Sequence, residues 1–402
     1  MFKGALPGFR DFYPQELAER AFIMNTWREV ARRYAFVEYD GPPLEPLGLY
    51  TTKSGDEIVG QLYNFVDKGG RDVALRPEMT PTVARMVAAR ANALRKPVRW
   101  FSMPQLFRYE RQQKGRLREH YQLNVDIFGS ADVAADAELV ACGVDVMRAF
   151  GLTSADVVVR VSDRRILEAF LESLAVPADA IASVYGIIDK LDRTPVETSA
   201  EKLSALGLSS EAIERIVTIG SVELDEVLAR LAGSAAATHA HQFGRYLAYA
   251  TALLGGDASW LTLDLSIVRG LAYYTGIVFE LFDRSGEFRA ICGGGRYDAL
   301  LQSLGGEDMP ALGFGMGDVV LGELLKSKGL MRPAELAADF WLAADETLPM
   351  EQVMSEASRR RAAGHSVEYA LRPQSMSKQK KAAQASGARQ FVTLSNDDAS
   401  NG

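Results

Sequence analysis

Apolar positions recur at helical spacing over residues 15–35, where Leu17, Ala21, Met24, Trp27, Ala31 and Tyr34 fall on one face. Pro14, just ahead of them, suits a helix start. The pattern then becomes strand-like. FVEYDGPPLEP (36–46) reads as a short strand broken by Pro42 and Pro43. QLYNFVDKGGRDVALRP (61–77) reads as a hairpin turning at Lys68, Gly69 and Gly70. A helix is expected over residues 81–94, capped by Thr80, with Pro81 in its first turn. VRWFSMPQLFRY (98–109) and YQLNVDIF (121–128) are strand-like and make FRYERQQKGRLREH (107–120) the end of a long hairpin, with its tip at residues 112–116. A helix over 135–150 and a strand over 156–163 follow.

From about 163 to 253 the chain is rich in Ala, Leu and Glu and reads as almost entirely helical, an insertion or subdomain. Strands return over 261–282, a glycine run CGGGRYD follows at 292–298, and GFGMGDVVLGELL (313–325) reads as a strand entering a helix. RPAELAA (332–338) has the texture of a linker, and a βαβαβ pattern with a parallel sheet closes the chain before the polar tail NDDASNG. The expected class is α+β: an antiparallel sheet flanked by helices, with a helical insertion and a short C-terminal α/β segment. The expected divisions are 1–162, 163–253, 254–330 and 338–395.

Composition narrows the function. The chain has 402 residues, 48% hydrophobic and 24% charged, enough for more than one core. The net charge of -7 argues against bulk nucleic-acid binding but leaves room for a local basic groove. No run is apolar enough to span a membrane, and the N-terminus lacks the apolar stretch of a secretory signal. Cys142 and Cys292 are far apart, match no zinc spacing, and are expected as small core residues in a reducing, cytoplasmic compartment. GFGMG is not a dinucleotide fingerprint, and no GxxxxGK[ST] exists.

Against that acidic background, Arg108, Arg111, Lys114, Arg116 and Arg118 crowd one hairpin. Arg108 and Glu110 share a strand face, as do Arg116 and Arg118. Guanidiniums set across a hairpin suit a polyphosphate, because each planar fork binds phosphate oxygens in pairs. By itself the run reads equally well as a solvated charged tip.

FRYERQQKGRLREHYQLNVDIFG (107–129) resembles motif 2 of class II aminoacyl-tRNA synthetases, in the form used by the histidyl-tRNA synthetases. LRPEMTP (75–81) resembles that family's amino-acid-binding loop, IVRGLAYYTGIVFE (267–280) and GGGRYD (293–298) its histidine-specific segments, PPLEP (42–46) a motif 1-like position, and GFGMG (313–317) the start of motif 3. The matches keep family order over about residues 5–325. The resemblance implies a two-step reaction, in which histidine is activated by ATP as histidyl-adenylate and passed to the terminal adenosine of tRNA(His). It implies Arg108 and Arg269 at the α-phosphate, Arg116 at the outer phosphates, Glu110 near the adenine, and His120 stacked on the base. Glu78, Thr80 and Gln122 would meet the substrate ammonium, and Asp126, Tyr273, Tyr274 and Tyr297 its side chain. In an ideal strand Tyr273 and Tyr274 point to opposite faces, so one at most would face the pocket. Glycines 293–295 would allow close backbone approach or form a tight turn. Mg2+ is expected with ATP, no metal-ligand cluster is legible, and a homodimer is expected.

The sequence departs from that pattern in places. Val320 stands where motif 3 usually carries an arginine, Ala272 replaces a common acid, and Asp126 is a methylene shorter than the usual Glu. The C-terminal segment resembles only the start of an anticodon-binding domain, in which Lys378, Lys380 and Lys381 could meet tRNA phosphates. Those features leave a second reading, a non-catalytic histidine-binding regulatory subunit of ATP phosphoribosyltransferase. The arginines of motif 2, Arg269 and the helical insertion favour the ligase.

Overall fold

The computed structural model describes residues 4–51, 59–110, 115–268 and 273–395. The chain divides into two compact units, Met1–Phe12 with Arg20–Arg332, and Tyr13–Glu19 with Pro333–Gly402. The described strands of the first unit begin with β1 (Val37–Glu38), β2 (Leu44–Pro46), β3 (Tyr63–Val66), β4 (Asp72–Leu75), β5 (Val98–Ser102), β6 (Gln105–Phe107) and β7 (Glu119–Phe128). The helix Ala134–Ala149 leads to β8 (Val157–Asp163), and a run of helices occupies Arg164 to Leu253. β9 (Leu261–Leu263), β10 (Ile277–Asp283), β11 (Cys292–Arg296) and β12 (Ala311–Gly317) complete the unit's strands. The large sheet runs β1-β5-β7-β12-β11-β10-β8-β9, with β6 also paired to β7. Its pairings are antiparallel except β1 with β5 and β8 with β9. β2, β3 and β4 make a small antiparallel sheet. The α+β class expected from the sequence is what forms.

The alternation of β7 decides the two faces of the large sheet. Leu123, Val125 and Ile127 point one way and join Val157, Val159 and Val161 of β8, Phe279 and Leu281 of β10, and Phe314 and Met316 of β12 in a single apolar cluster. The helix Ala134–Ala149 lies on this face, itself covered by the helix Ala237–Leu253, which explains why it is buried nearly all round. Each large side chain removed from water here contributes about 1.5–3 kcal/mol. His120, Gln122, Asn124 and Asp126 point the other way. At the far end of that second face a smaller cluster forms from Val98, Phe128, Val278 and Ala311 with Tyr273, Tyr274 and Tyr297, closed by Val83, Ala84 and Val87 of the helix Thr80–Ala88.

Glycines 293–295 form neither a turn nor a loop: they lie inside β11, paired on both sides. Gly294 faces the large core between Phe279 and Phe314, whose rings meet edge to face at 6.2 Å across the gap it leaves.

Local expectations hold in part. The hairpin over 61–77 forms as β3 and β4, its turn held by the Asp67 carboxylate, which accepts from the Gly69 and Arg71 amides at 2.8 and 2.9 Å, and by Gly70 at φ +76°. The first helix, Pro14–Arg33, buries Ile23, Trp27, Val30 and Ala31, while Leu17 is exposed; the core selected a stripe rotated from the expected one. Thr80 does not cap its helix: Met79 holds the N-cap position, Thr80 lies in the first turn, and the helix ends at Ala88. The stretch 261–282 is not one strand, because residues 264–268 and 273–276 leave the ladder between β9 and β10.

In the second unit β13 (Phe340–Ala344), β14 (Val367–Tyr369) and β15 (Gln390–Leu394) form a parallel sheet in the order β14-β13-β15, with the helices Met350–Ala362 and Met376–Ser386 as crossovers. This is the βαβαβ pattern. The buried Gln379 side chain fixes the end of β13 by accepting from the Ala344 amide at 3.2 Å and donating to its carbonyl at 2.6 Å.

A Cβ at position 294 would lie 2.4 Å from the Gly313 carbonyl oxygen and 2.5 Å from Phe314 Cβ. Gly294→Ala should therefore lower stability by about 1–3 kcal/mol through overpacking. Urea unfolding measures it, and a wild-type midpoint with an unchanged slope would contradict this account of β11.

Candidate active site

The polar face of the large sheet is floored by glycine. Gly313, Gly315 and Gly317 of β12 pair with Asp126, Asn124 and Gln122 of β7, and Gly293 and Gly295 of β11 continue the row. A Cβ on Gly313 would lie 2.2 Å from Asp126 Oδ1, and one on Gly315 would lie 2.7 Å from Gln122 Oε1. A Cβ on Gly295 would lie 3.0 Å from the Tyr274 ring. Side chains on this floor would occupy the space that Asp126, Gln122 and Tyr274 fill. The alternation that makes β7 amphipathic also puts Ala311, Gly313, Gly315 and Gly317 of β12 on the facing positions and Leu312, Phe314 and Met316 on the core side.

Two carboxylate–tyrosine pairs sit on this floor. Tyr297 donates to Asp126 Oδ1 at 2.5 Å, and Asp126 Oδ2 is buried without a hydrogen-bond partner. Burial pushes the Asp126 carboxyl up to about 7, with the Tyr297 hydrogen bond acting against it. Tyr273 donates to Glu78 Oε2 at 2.9 Å, with the Thr80 side chain beside the same hydroxyl. Burial first, then the Glu78 charge, hold the Tyr273 phenol well above its ordinary value. The rings of Tyr273 and Tyr274 lie 5.1 Å apart and those of Tyr273 and Tyr297 lie 5.8 Å apart. Tyr273 and Tyr274 leave the strand, so the rule of opposite faces does not apply and both are buried in one cluster. The expected residues Glu78, Thr80, Asp126, Tyr273, Tyr274 and Tyr297 thus come together, and Gln122 lies along the same face.

Tyr297 is held from behind. Arg296, on the opposite side of β11, forms a buried ion pair with Asp136 of the helix Ala134–Ala149 and donates to the Ser130 carbonyl at 2.9 Å. Asp298 accepts from the Ala311 amide at 3.0 Å. Burial raises Asp136 to about 6, opposed by Arg296.

Beside these pairs opens a cavity of about 770 Å³. Arg108, Glu110, Arg116, His120 and Gln122 line one wall. Arg108 donates to the Pro77 carbonyl at 2.9 Å, and buried Glu110 forms an ion pair with Arg116. Burial, then the charges of Arg108 and Arg10, push the His120 imidazole down to about 3, so it is neutral at any physiological pH. Arg118 does not line the cavity: its guanidinium lies 4.1 Å from the Tyr109 ring centroid and its stem packs on Gly8. Arg269 lies outside the described residues, as do Arg111, Lys114 and Ala272. Val320, in the first turn of the helix Asp318–Ser327, lines the cavity with apolar surface.

The sequence model of the family described as Histidyl-tRNA synthetase matches residues 8–317. This chain belongs to that family. A protein of Opitutus terrae named histidine–tRNA ligase is 44% identical over 399 residues, 98% of this chain and 91% of its own length. The structure of a Nostoc histidyl-tRNA synthetase aligns with a TM-score of 0.84 at 24% identity, covering 100% of this chain and 93% of that one. A Bacillus halodurans structure described as an ATP phosphoribosyltransferase regulatory subunit/histidyl-tRNA synthetase gives 0.80 at 21%, covering 98% of each; these likenesses show the fold. Membership makes the chain a class II aminoacyl-tRNA synthetase by family, with ATP as a substrate of that family's reaction.

Within this synthetase site several residues escaped the sequence reading. Arg10 donates to Glu119 at 2.7 Å and to Asp318 at 2.9 Å, and Asp318 accepts from the Tyr121 amide at 2.8 Å. This knot fixes the N-terminal segment, β7 and the helix Asp318–Ser327 around His120. Arg160, Arg193, Glu280 and Arg289 also line the cavity, with Asp189 and Asp192 of the helical insertion. Period-two patterning places Arg160 and Glu280 on the polar face, but only the β8–β10 register puts them side by side.

Asp126 gives a testable consequence. Its proton is held to about pH 7 in the folded protein and lost near 3.8 when unfolded. The folded state thus binds more protons between those values, and this group makes stability fall as pH rises through that window. Asp126→Asn should flatten that fall. Urea unfolding of both proteins from pH 4 to pH 8 checks it, and parallel curves would contradict the buried protonated carboxyl.

Proposed function

We propose that this chain is a histidine–tRNA ligase. The observation that carries the reading is the joint placement, on one glycine floor, of two buried acid–tyrosine pairs and a cavity lined by arginines, in a chain of this family. An imidazole offers one donor and one acceptor, and the Asp126–Tyr297 pair offers the complementary groups. Glu78, with Thr80 and Gln122, takes the ammonium, and Tyr273 and Tyr274 close the pocket around the ring.

The histidine carboxylate attacks the α-phosphorus of ATP. The bond from that phosphorus to the bridging oxygen breaks, and pyrophosphate leaves. Negative charge builds on the α-phosphate oxygens, which Arg108 and Arg269 stabilise, while Arg116 holds outer phosphate and Glu110 keeps Arg116 in place. Neutral His120 stacks on the adenine without repelling the arginines. The terminal adenosine hydroxyl of tRNA(His) then attacks the carbonyl carbon, and AMP leaves. Mg2+ would enter with the nucleotide, held by phosphate oxygens and water with one or two carboxylates; Glu280 is the carboxylate we assign to share it.

Two exposed edges support a homodimer: Val37 on β1 is 62% exposed, and Phe65 and Val66 on β3 are 50% and 63% exposed, apolar surface that a second copy would cover. Cys142 and Cys292 are both buried, which suits small core thiols in a reducing, cytoplasmic location. No described helix is long and apolar enough to cross a membrane. In the second unit, the anticodon-binding-like segment and its lysines Lys378, Lys380 and Lys381 are assigned to tRNA. The regulatory-subunit reading has weaker support, because the relative matched along 98% of this chain at 44% identity carries the ligase name.

ATP–pyrophosphate exchange with each of the common amino acids tests the proposal. Exchange with histidine alone is expected. Histidine binding by calorimetry without any exchange would make the regulatory subunit the better reading.

A further inference from the structure

Most of the charge of a nucleoside triphosphate lies on its outer phosphates, and a wall facing them needs cations. The helix Asp318–Ser327 supplies none to the cavity, since Val319 and Val320 are its lining residues next to Gly317. The loop that leads into β11 supplies one. In the β11–β12 ladder Cys292 pairs with Met316, and the Gly317 amide donates to the Ile291 carbonyl at 3.4 Å. Arg289 and Ala290, which precede Ile291, line the cavity together with Gly317, Val319 and Val320 at the start of that helix. Arg289 lines the same cavity as Arg116 and Val320.

The loop that delivers Arg289 is built rather than loose. Buried Asp283, the last residue of β10, accepts from the Phe288 amide at 3.0 Å and from the Glu287 amide at 3.1 Å, and also from the Ser285 hydroxyl. Phe288 packs against the main apolar cluster. A carboxylate committed to three bonds within one loop fixes the backbone immediately before Arg289, which lowers the entropy lost when that side chain closes on an anion.

We propose that Arg289 binds the outer phosphates of ATP and supplies the cation that Val320 does not. The proposal rests on the reading of this cavity as the ATP site of a ligase. Arg289→Ala should raise the KM for ATP in histidine-dependent exchange by about tenfold or more, as expected for loss of a charge-assisted contact. The KM for pyrophosphate should rise with it, because pyrophosphate is made of those two phosphates. Inhibition by AMP, which lacks them, and the KM for histidine should stay at wild-type values, and Arg289→Lys should recover part of the loss. An unchanged KM for ATP, or equal weakening of ATP and AMP, would overturn the assignment. A wild-type protein without exchange would instead sink the ligase reading; calorimetric binding of ATP and AMP to wild-type and Arg289→Ala proteins would then still decide the role of Arg289.

Discussion

Asp126 and Gln122 lie across the backbone of β12, and they fit there because the residues beneath them are Gly313 and Gly315. A polar side chain buried on a sheet normally competes with the side chains of the next strand for the same space. The absence of a Cβ at Gly313, Gly315 and Gly317 of β12, and at Gly293 and Gly295 of β11, turns the middle of the sheet into a flat floor. The cost is the loss of side-chain packing on that face. The opposite face offsets it: Leu312, Phe314 and Met316 alternate with the same glycines and anchor β12 in the main core. One strand thus serves as a core element on one side and as a substrate surface on the other.

That division organises the charges. The deep end of the floor holds carboxyls whose partners are phenols, and burial keeps the Asp126 carboxyl largely protonated up to about pH 7. The open end holds guanidiniums, and His120 between them is kept neutral by the same burial and by Arg108 and Arg10. A group that recognises a ring by hydrogen bonds and a group that neutralises phosphate have opposite needs, for a dry site and for fixed cations. The sheet separates them by length along β7, from Asp126 to His120.

Much of this was legible in the sequence because it depends on local pattern. The alternation of YQLNVDIF carries the polar and apolar faces of β7, the turn residues at 68–70 mark the first hairpin, and the family's motifs contain Glu78, Asp126, Tyr273 and Tyr297, which the fold brings together. What stayed hidden depends on register and on breaks in regularity. Gly294 is indistinguishable from a turn glycine until Phe279 and Phe314 are known to flank it. Tyr273 and Tyr274 share a pocket because the chain abandons the ladder at 273–276, which a continuous apolar run conceals. Arg118 shares a strand face with Arg116 in the sequence pattern, yet its guanidinium lies over the Tyr109 ring and its stem lies against Gly8, a contact across more than a hundred positions. Arg10 and Asp318 are bonded across 308 positions, a separation no local pattern spans.

The β12 glycines make room for substrate-facing polar side chains. Calorimetric titration of histidine into a Gly315→Ala protein tests it most directly, because the added Cβ would lie 2.7 Å from the Gln122 amide oxygen, the far end of a flexible side chain, rather than against backbone. The account predicts a folded protein, by its urea midpoint, that binds histidine at least about tenfold more weakly, the cost of displacing one hydrogen-bonding group from a charged ligand. Wild-type histidine affinity in a folded Gly315→Ala protein would contradict it.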